Sequence, residues 1–295
     1  MKATKIGLLF FIPLSGFNDV VHLCIFATAV FAYVVFCGNT CCAWQEETHL
    51  ALSAKLSKTL PSYFRDIAKR EEKNYLLGLK ETDEIFPGEE EGEYQAGKFE
   101  RRGVELIIAA VKQLDVLIRR KAPAAQVAYQ MGRLDRTFED YLEPLPGADS
   151  KLSSTEITGT RIFFEDDFSE RTEKLDFLFD GYDNIKYLPT VLAEAMEKNR
   201  GSGRIIYDSY HTGEGYGAVG DEAEAAVNRT LNLIVDFYYT VDRGRTRLGK
   251  KMNLSEILGL DRFRLGADRT EKMEIKKPDD PSAPLPPKKP EAEKK

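Results

Sequence analysis

The sequence predicts an all-α fold, a single helical domain with an apolar leader before it and a disordered, proline-rich tail after it. Three observations carry this. Apolar residues recur at helical spacing, most clearly at Val104, Ile107, Ile108, Val111, Leu114, Leu117 and Ile118. No segment shows the period-two alternation of a half-buried strand, and no internal repeat is found. Prolines stand at the ends of the periodic segments, at Pro61, Pro123 and Pro144, where they start or stop helices rather than break them.

Taken in order, the first 43 residues form the leader. A short apolar run from Ile6 to Leu14 is interrupted by Gly16-Phe17-Asn18-Asp19, and a second runs from Val20 to Phe36. The second run has the length of a signal h-region and is marginal for a membrane span. Small residues at Cys41 and Ala43 suit a signal peptidase, so cleavage after Ala43 would make Trp44 the new N-terminus. The alternative is a retained N-terminal anchor. Either reading places the protein outside the cytoplasm, periplasmic or extracellular.

Residues 44–247 make the body. Leu50, Leu52, Leu56 and Leu60 predict a first helix ending before Pro61. Phe64, Ile67, Tyr75 and Leu76 predict a second, closing on Leu77-Gly78. An acidic loop is expected over 81–97, and strong helices over 99–120 and from Pro123 to about Glu143. Further helices are expected at 165–178 and 185–199. A Gly-rich loop over 201–220 then leads to a final helix at 222–242, with Ala226, Leu231, Ile234, Val235 and Tyr238 inward. In residues 248–295, a short helix at 253–260 precedes a stretch rich in proline, lysine and acids. That stretch holds too little apolar surface to form a core.

Composition narrows the function. All four cysteines precede Trp44, so the body is neither a disulfide scaffold nor a Cys-ligated zinc protein. Of three histidines, only His49 and His211 lie in the body. Without the leader the chain holds 40 basic and 47 acidic residues, a net charge of −7; that disfavours nucleic acid and anionic membrane as partners. A membrane would be reached only through an uncleaved leader. The glycines of 213–220 come without a lysine and lack phosphate-loop spacing, and His211 reads as an ordinary surface or core histidine.

The residues with chemical potential are spread along the body. Trp44 is followed five residues later by His49. Further on come Gly132-Arg133-Leu134-Asp135-Arg136-Thr137-Phe138-Glu139-Asp140, then Pro144-Leu145-Pro146, and Arg161-Ile162-Phe163-Phe164-Glu165. Upstream stands Gly78-Leu79-Lys80-Glu81-Thr82-Asp83. Arg136 with Asp140, and Arg161 with Glu165, are i,i+4 pairs on one helix face.

This pattern resembles the zinc-dependent phospholipase C and single-strand-specific nuclease superfamily, exported all-helical phosphodiesterases whose mature chain begins with a zinc-binding Trp. The resemblance covers residues 44 to about 245. It implies a metal position built from Trp44, His49 and Asp140, with Asp83 and Glu165 as weaker candidates at two others. It also shows a degraded cluster, because three family histidines correspond to Arg136, Pro146 and Arg161. Carboxylates alone hold zinc poorly, so at most one zinc ion is expected. A guanidinium cannot ligate a cation but brings fixed positive charge among carboxylates.

Three functions follow as expectations. The first is a catalytically impaired phospholipase C/D-like domain in which Arg136 and Arg161 form ion pairs or bind an anionic or phosphorylated ligand. The second is a single-zinc phosphoric diester hydrolase with the arginines as an electrostatic clamp. The third is an envelope interaction protein reaching out through its tail.

Overall fold

The computed structural model describes residues 44–81, 96–145 and 154–260. The leader, the loop around Asp83 and the proline-rich tail lie outside the described residues. The protein is a single all-α domain, and among the described residues there is no strand. No described helix is long and apolar enough to cross a membrane.

The helices are α1 (Glu46–Thr59), α2 (Ser62–Arg70), α3 (Glu72–Lys80), α4 (Ala96–Arg119), α5 (Ala124–Tyr141), α6 (Ser154–Thr172), α7 (Leu188–Thr212), α8 (Tyr216–Leu248) and the short α9 (Leu254–Ile257). The proline stops act as expected, with Pro61 opening α2 and Pro123 preceding α5. The second predicted helix is two, divided at Glu71.

Helix α5 is the axis of the fold. It packs against α1, α2, α3, α4 and α8, and thirteen of its eighteen residues are buried. Val127, Met131, Leu134 and Phe138 are among them, but so are Gln130, Asp135, Arg136, Glu139 and Asp140. A helix surrounded on all sides is normally apolar all round. Each polar group here therefore needs a partner. Gln130 donates to the Ala110 carbonyl at 3.1 Å. Asp135 accepts from Tyr75 at 2.6 Å and from Tyr238 at 2.7 Å.

Helices α3 and α5 meet at two glycines. An ideal Cβ on Gly78 would lie 2.0 Å from the Tyr129 carbonyl oxygen, and one on Gly132 would lie 2.0 Å from that of Tyr75. Only the missing side chains let the backbones approach this closely.

Three elements differ from the sequence expectation. The glycines of 201–220 do not form a loop: α7 runs on to Thr212, and Gly213, at φ 83°, caps it in the left-handed conformation. Ser202 and Gly203 are buried, and Ser202 receives a hydrogen bond from Arg229 of α8 at 2.7 Å. The small residues are used for close helix packing, which overrides their low propensity. Helix α8 accordingly starts earlier than predicted, at Tyr216, and runs to Leu248.

The third difference is at 165–178. Helix α6 begins at Ser154 and stops at Thr172, and residues 175–187 run without regular structure along α8. Side chains four apart on α8 capture this strap. Asn228, Asn232, Asp236 and Thr240 accept from the amides of Leu178, Asp180, Asp183 and Ile185 at 2.9, 3.4, 2.6 and 2.8 Å. Four helical residues advance about 6 Å, and two extended residues advance about 6.6 Å. The two spacings match, and the one three-residue step contains Gly181 at φ 115°.

Candidate functional site

Arg136, Glu139 and Asp140 stand at i, i+3 and i+4, so the end of α5 presents them on one face, and Glu143 follows two residues past the helix end. Helix α1 brings His49 to that face, and α6 brings Arg161 and Glu165. Trp44 closes the group from the N-terminal side. Its ring packs on Phe168 and Phe164 at centroid distances of 5.0 and 6.0 Å. Its indole N–H donates to the Glu139 carbonyl at 3.2 Å, one of the carbonyls that a helix end leaves without an internal partner.

Ion pairs link the charges, yet His49 Nε2, Glu139 Oε1, Asp140 Oδ1 and both Glu143 carboxyl oxygens are buried without a hydrogen-bond partner. Arg136 Nε donates to Asp140 Oδ2 at 2.8 Å, and its Nη2 reaches the Trp44 carbonyl at 3.4 Å. His49 lies between two carboxylates, with Nδ1 on Glu139 and Nε2 at 3.1 Å from Asp140 Oδ1. Arg161 Nε is 2.8 Å from Glu165 Oε1 and 3.3 Å from Glu143 Oε1. Every member is at least nearly buried: His49 is 1% exposed, Arg136 and Asp140 3% each, and Glu139 and Glu143 0%.

Burial and pairing divide the protons. Burial raises the Glu143 carboxyl well above the usual range, against the pull of Arg161. Burial likewise raises Glu165, to about 7, and raises Glu139 despite His49 and Arg136. Asp140 goes the other way, because Arg136 and His49 outweigh its burial and hold it below the usual range. His49 is raised: burial opposes its charge, but Asp140 and Glu139 prevail. His49, Arg136 and Arg161 thus face Glu139, Asp140, Glu143 and Glu165, of which only Asp140 is held below its usual range.

Six of the sequence candidates, Trp44, His49, Arg136, Asp140, Arg161 and Glu165, thus meet in one place. Asp83 lies outside the described residues. His211 sits elsewhere, exposed in the last turn of α7 and stacked on Tyr207 at 5.7 Å. Sequence reasoning missed Glu139 and Glu143. Glu139 shares the helix face that Arg136 and Asp140 define, but nothing in the sequence marks it or Glu143 as buried.

The fit to a metal ion can be judged from the donors. Among the described residues, no group of three or more His, Cys, Asp and Glu is disposed to hold one. Of the donors the resemblance would assign to zinc (the Trp44 amine and carbonyl, His49 and Asp140), the Trp44 carbonyl faces the Arg136 guanidinium and Asp140 holds that same guanidinium through its second oxygen. An ion there would sit against a fixed positive charge in a buried setting, where repulsion is weakly screened. As arranged, the Arg136 guanidinium shares two of these donors, while His49 Nε2 and Asp140 Oδ1, 3.1 Å apart, are buried without a hydrogen-bond partner.

The cluster is packed rather than hollow. A cavity of about 330 Å³ opens elsewhere, between α3, α4 and α5, lined by Asn74, Gln113, Leu117 and Tyr129. No protein-family model, curated protein or solved structure matches the chain.

Proposed function

We propose that the chain is an exported, non-catalytic helical domain of the phospholipase C/nuclease type, in which a salt-bridge cluster does the structural work of a metal centre. The observation that carries this reading is the position of the Arg136 guanidinium, in contact with both Asp140 and the Trp44 carbonyl. Hydrolysis of a phosphodiester by this family's chemistry needs a metal-bound hydroxide and cations flanking the phosphate. Here the cations are guanidinium groups already engaged by carboxylates, which supports a structural role over a clamp on substrate. The same engagement weighs against the cluster as an anion-binding site.

Zinc content, thermal melting with and without a chelator, and hydrolysis of a simple phosphodiester, measured on the secreted protein, test the reading together. A well-folded protein with no stoichiometric zinc, unchanged melting in chelator and no hydrolysis is the expected result. One zinc per chain, with melting lowered by chelator, would overturn it in favour of the single-zinc hydrolase. A rise in melting temperature with inorganic phosphate, lost in Arg161→Met, would instead make the arginines an anion site.

A further inference from the structure

The strap along α8 exposes an aromatic row, of which only Tyr182 also helps attach it, through its stacking on Tyr239 and its hydroxyl on the Thr59 carbonyl. The α8 side chains hold the strap by its backbone, leaving Leu178, Phe179 and Tyr182 exposed at 69, 39 and 42%. Phe179 meets Tyr182 edge-on at 4.9 Å, and Tyr182 stacks on Tyr239 of α8 at 4.8 Å. Acids border the row: Asp180 and Asp183 are exposed, and together with burial they raise the Asp236 carboxyl to about 6. Arg243, over the Tyr239 ring at 5.6 Å, marks its far end.

The tail carries a complementary pattern. Pro278, Pro281, Pro284, Pro287 and Pro290 are spaced every three residues, with Asp279 and Asp280 at the start of the series and Pro286, Lys288 and Lys289 toward its end. Polyproline II has three residues per turn, so such a series lies on one face of that helix. Successive prolines on that face are about 9 Å apart, and the row offers neighbouring rings at 4.9 and 4.8 Å for them to lie on. Aromatic-lined surfaces are a recurring way to hold proline-rich segments, and the lysine end of this series is the end that acids beside the row would attract.

The described chain also ends beside the strap. Leu188, just after it, donates its amide to the Leu258 carbonyl at 2.9 Å, and a Cβ on Gly259 would meet the Tyr187 ring at 2.3 Å. The 17 residues between Leu260 and Pro278 can reach up to about 56 Å when extended. The strap from Tyr187 back to Phe179 needs only about 26 Å.

We propose that the row Phe179–Tyr182–Tyr239 docks the proline series 278–290 of the same chain, with Lys288 and Lys289 against Asp180 and Asp183. A tether of this length supplies an effective concentration on the order of millimolar, so weak contacts suffice. The docked segment would cover the apolar strip, and a competing proline-rich basic ligand could expose it.

Carbodiimide cross-linking of the full chain, read by peptide mass spectrometry on a mixture of ¹⁴N- and ¹⁵N-labelled protein, tests this. Links from Lys288 or Lys289 to Asp180 or Asp183 within one isotope label should exceed those to the exposed acids Glu72 and Glu197 several-fold. They should fall to that background in the variant carrying Pro284→Ser, Pro286→Ser and Pro287→Ser, which leaves the folded body untouched. Links spread evenly over all acids would overturn the proposal. Links joining different labels would overturn it too, by placing the tail on a second copy. Retention of the strap links in the triple-serine variant would show attraction by charge alone and would also overturn it.

Discussion

Arg136 and Asp140 are one turn apart on α5, and the guanidinium of the first holds one carboxylate oxygen of the second at 2.8 Å while His49 faces the other oxygen. Removing one partner of a buried pair strands the other. Arg136→Met should therefore destabilise the fold by about 3–5 kcal/mol, read as a lower urea midpoint. Arg136→Met combined with Asp140→Asn should recover part of that loss. A single-variant loss near zero would mean that the cluster does not hold the fold together.

Stability should fall as pH rises from about 4 toward 8, and Asp135 is the clearest reason. Burial lifts its carboxyl to about 8 in the folded protein, against an ordinary value of about 3.9. Between those values the folded state binds the extra proton, so its stabilising contribution is full below the unfolded pKa and lost through the folded one. One such group gives a slope of up to about 1.4 kcal/mol per pH unit. Glu165 and His49, both raised, act in the same direction over the upper part of the range. Urea unfolding across pH 5–8 should show the decline, and Asp135→Asn should flatten it while Tyr75 and Tyr238 stay in place.

The crossing of α3 and α5 tolerates no Cβ. Gly132→Ala places a methyl group against the Tyr75 carbonyl and the Leu79 amide, both backbone, so the helices must separate. The expected cost is about 1–3 kcal/mol, measured by thermal melting. Gly201→Ala, where the added Cβ meets nothing within 4 Å, is the control and should gain rather than lose stability through helix propensity.

Asn232 both accepts from the Asp180 amide and donates to the Leu178 carbonyl at 2.9 Å. Asn232→Ala should release the middle of the strap at about 0.5–1.5 kcal/mol per hydrogen bond. Hydrogen exchange should quicken at Leu178 and Asp180, with little change in α5. Equal quickening throughout would show that strap and body open as one unit.

The helices were legible where apolar spacing and proline stops agreed, as in α4 and α5. Reading failed where one residue type serves two purposes. Gly201 and Gly203 signal a loop, yet in α7 the neighbouring Ser202 packs against α8, a contact between segments some 20 to 30 positions apart. Leu175 and Phe177 continue the apolar spacing of α6, yet the backbone leaves the helix where Asn228 of α8 accepts from the Leu178 amide and donates to the Asp176 carbonyl. The site residues were recoverable from i,i+4 spacing and the Trp44–His49 interval. Glu139 and Glu143 were not, because a carboxylate on a helix reads as solvated until its burial is known.

The strap also bears on how the sequence can change. Its hold on α8 runs through amides, which every residue but proline supplies, and only Gly181 has a conformation that side chains resist. Substitutions at Leu178 and Phe179 therefore leave that hold in place, whereas Tyr182 also stacks on Tyr239 and donates its hydroxyl to the Thr59 carbonyl at 2.8 Å. Leu178 and Phe179 are thus free to drift. A persistent aromatic row across descendants of this chain would then record selection by whatever touches it.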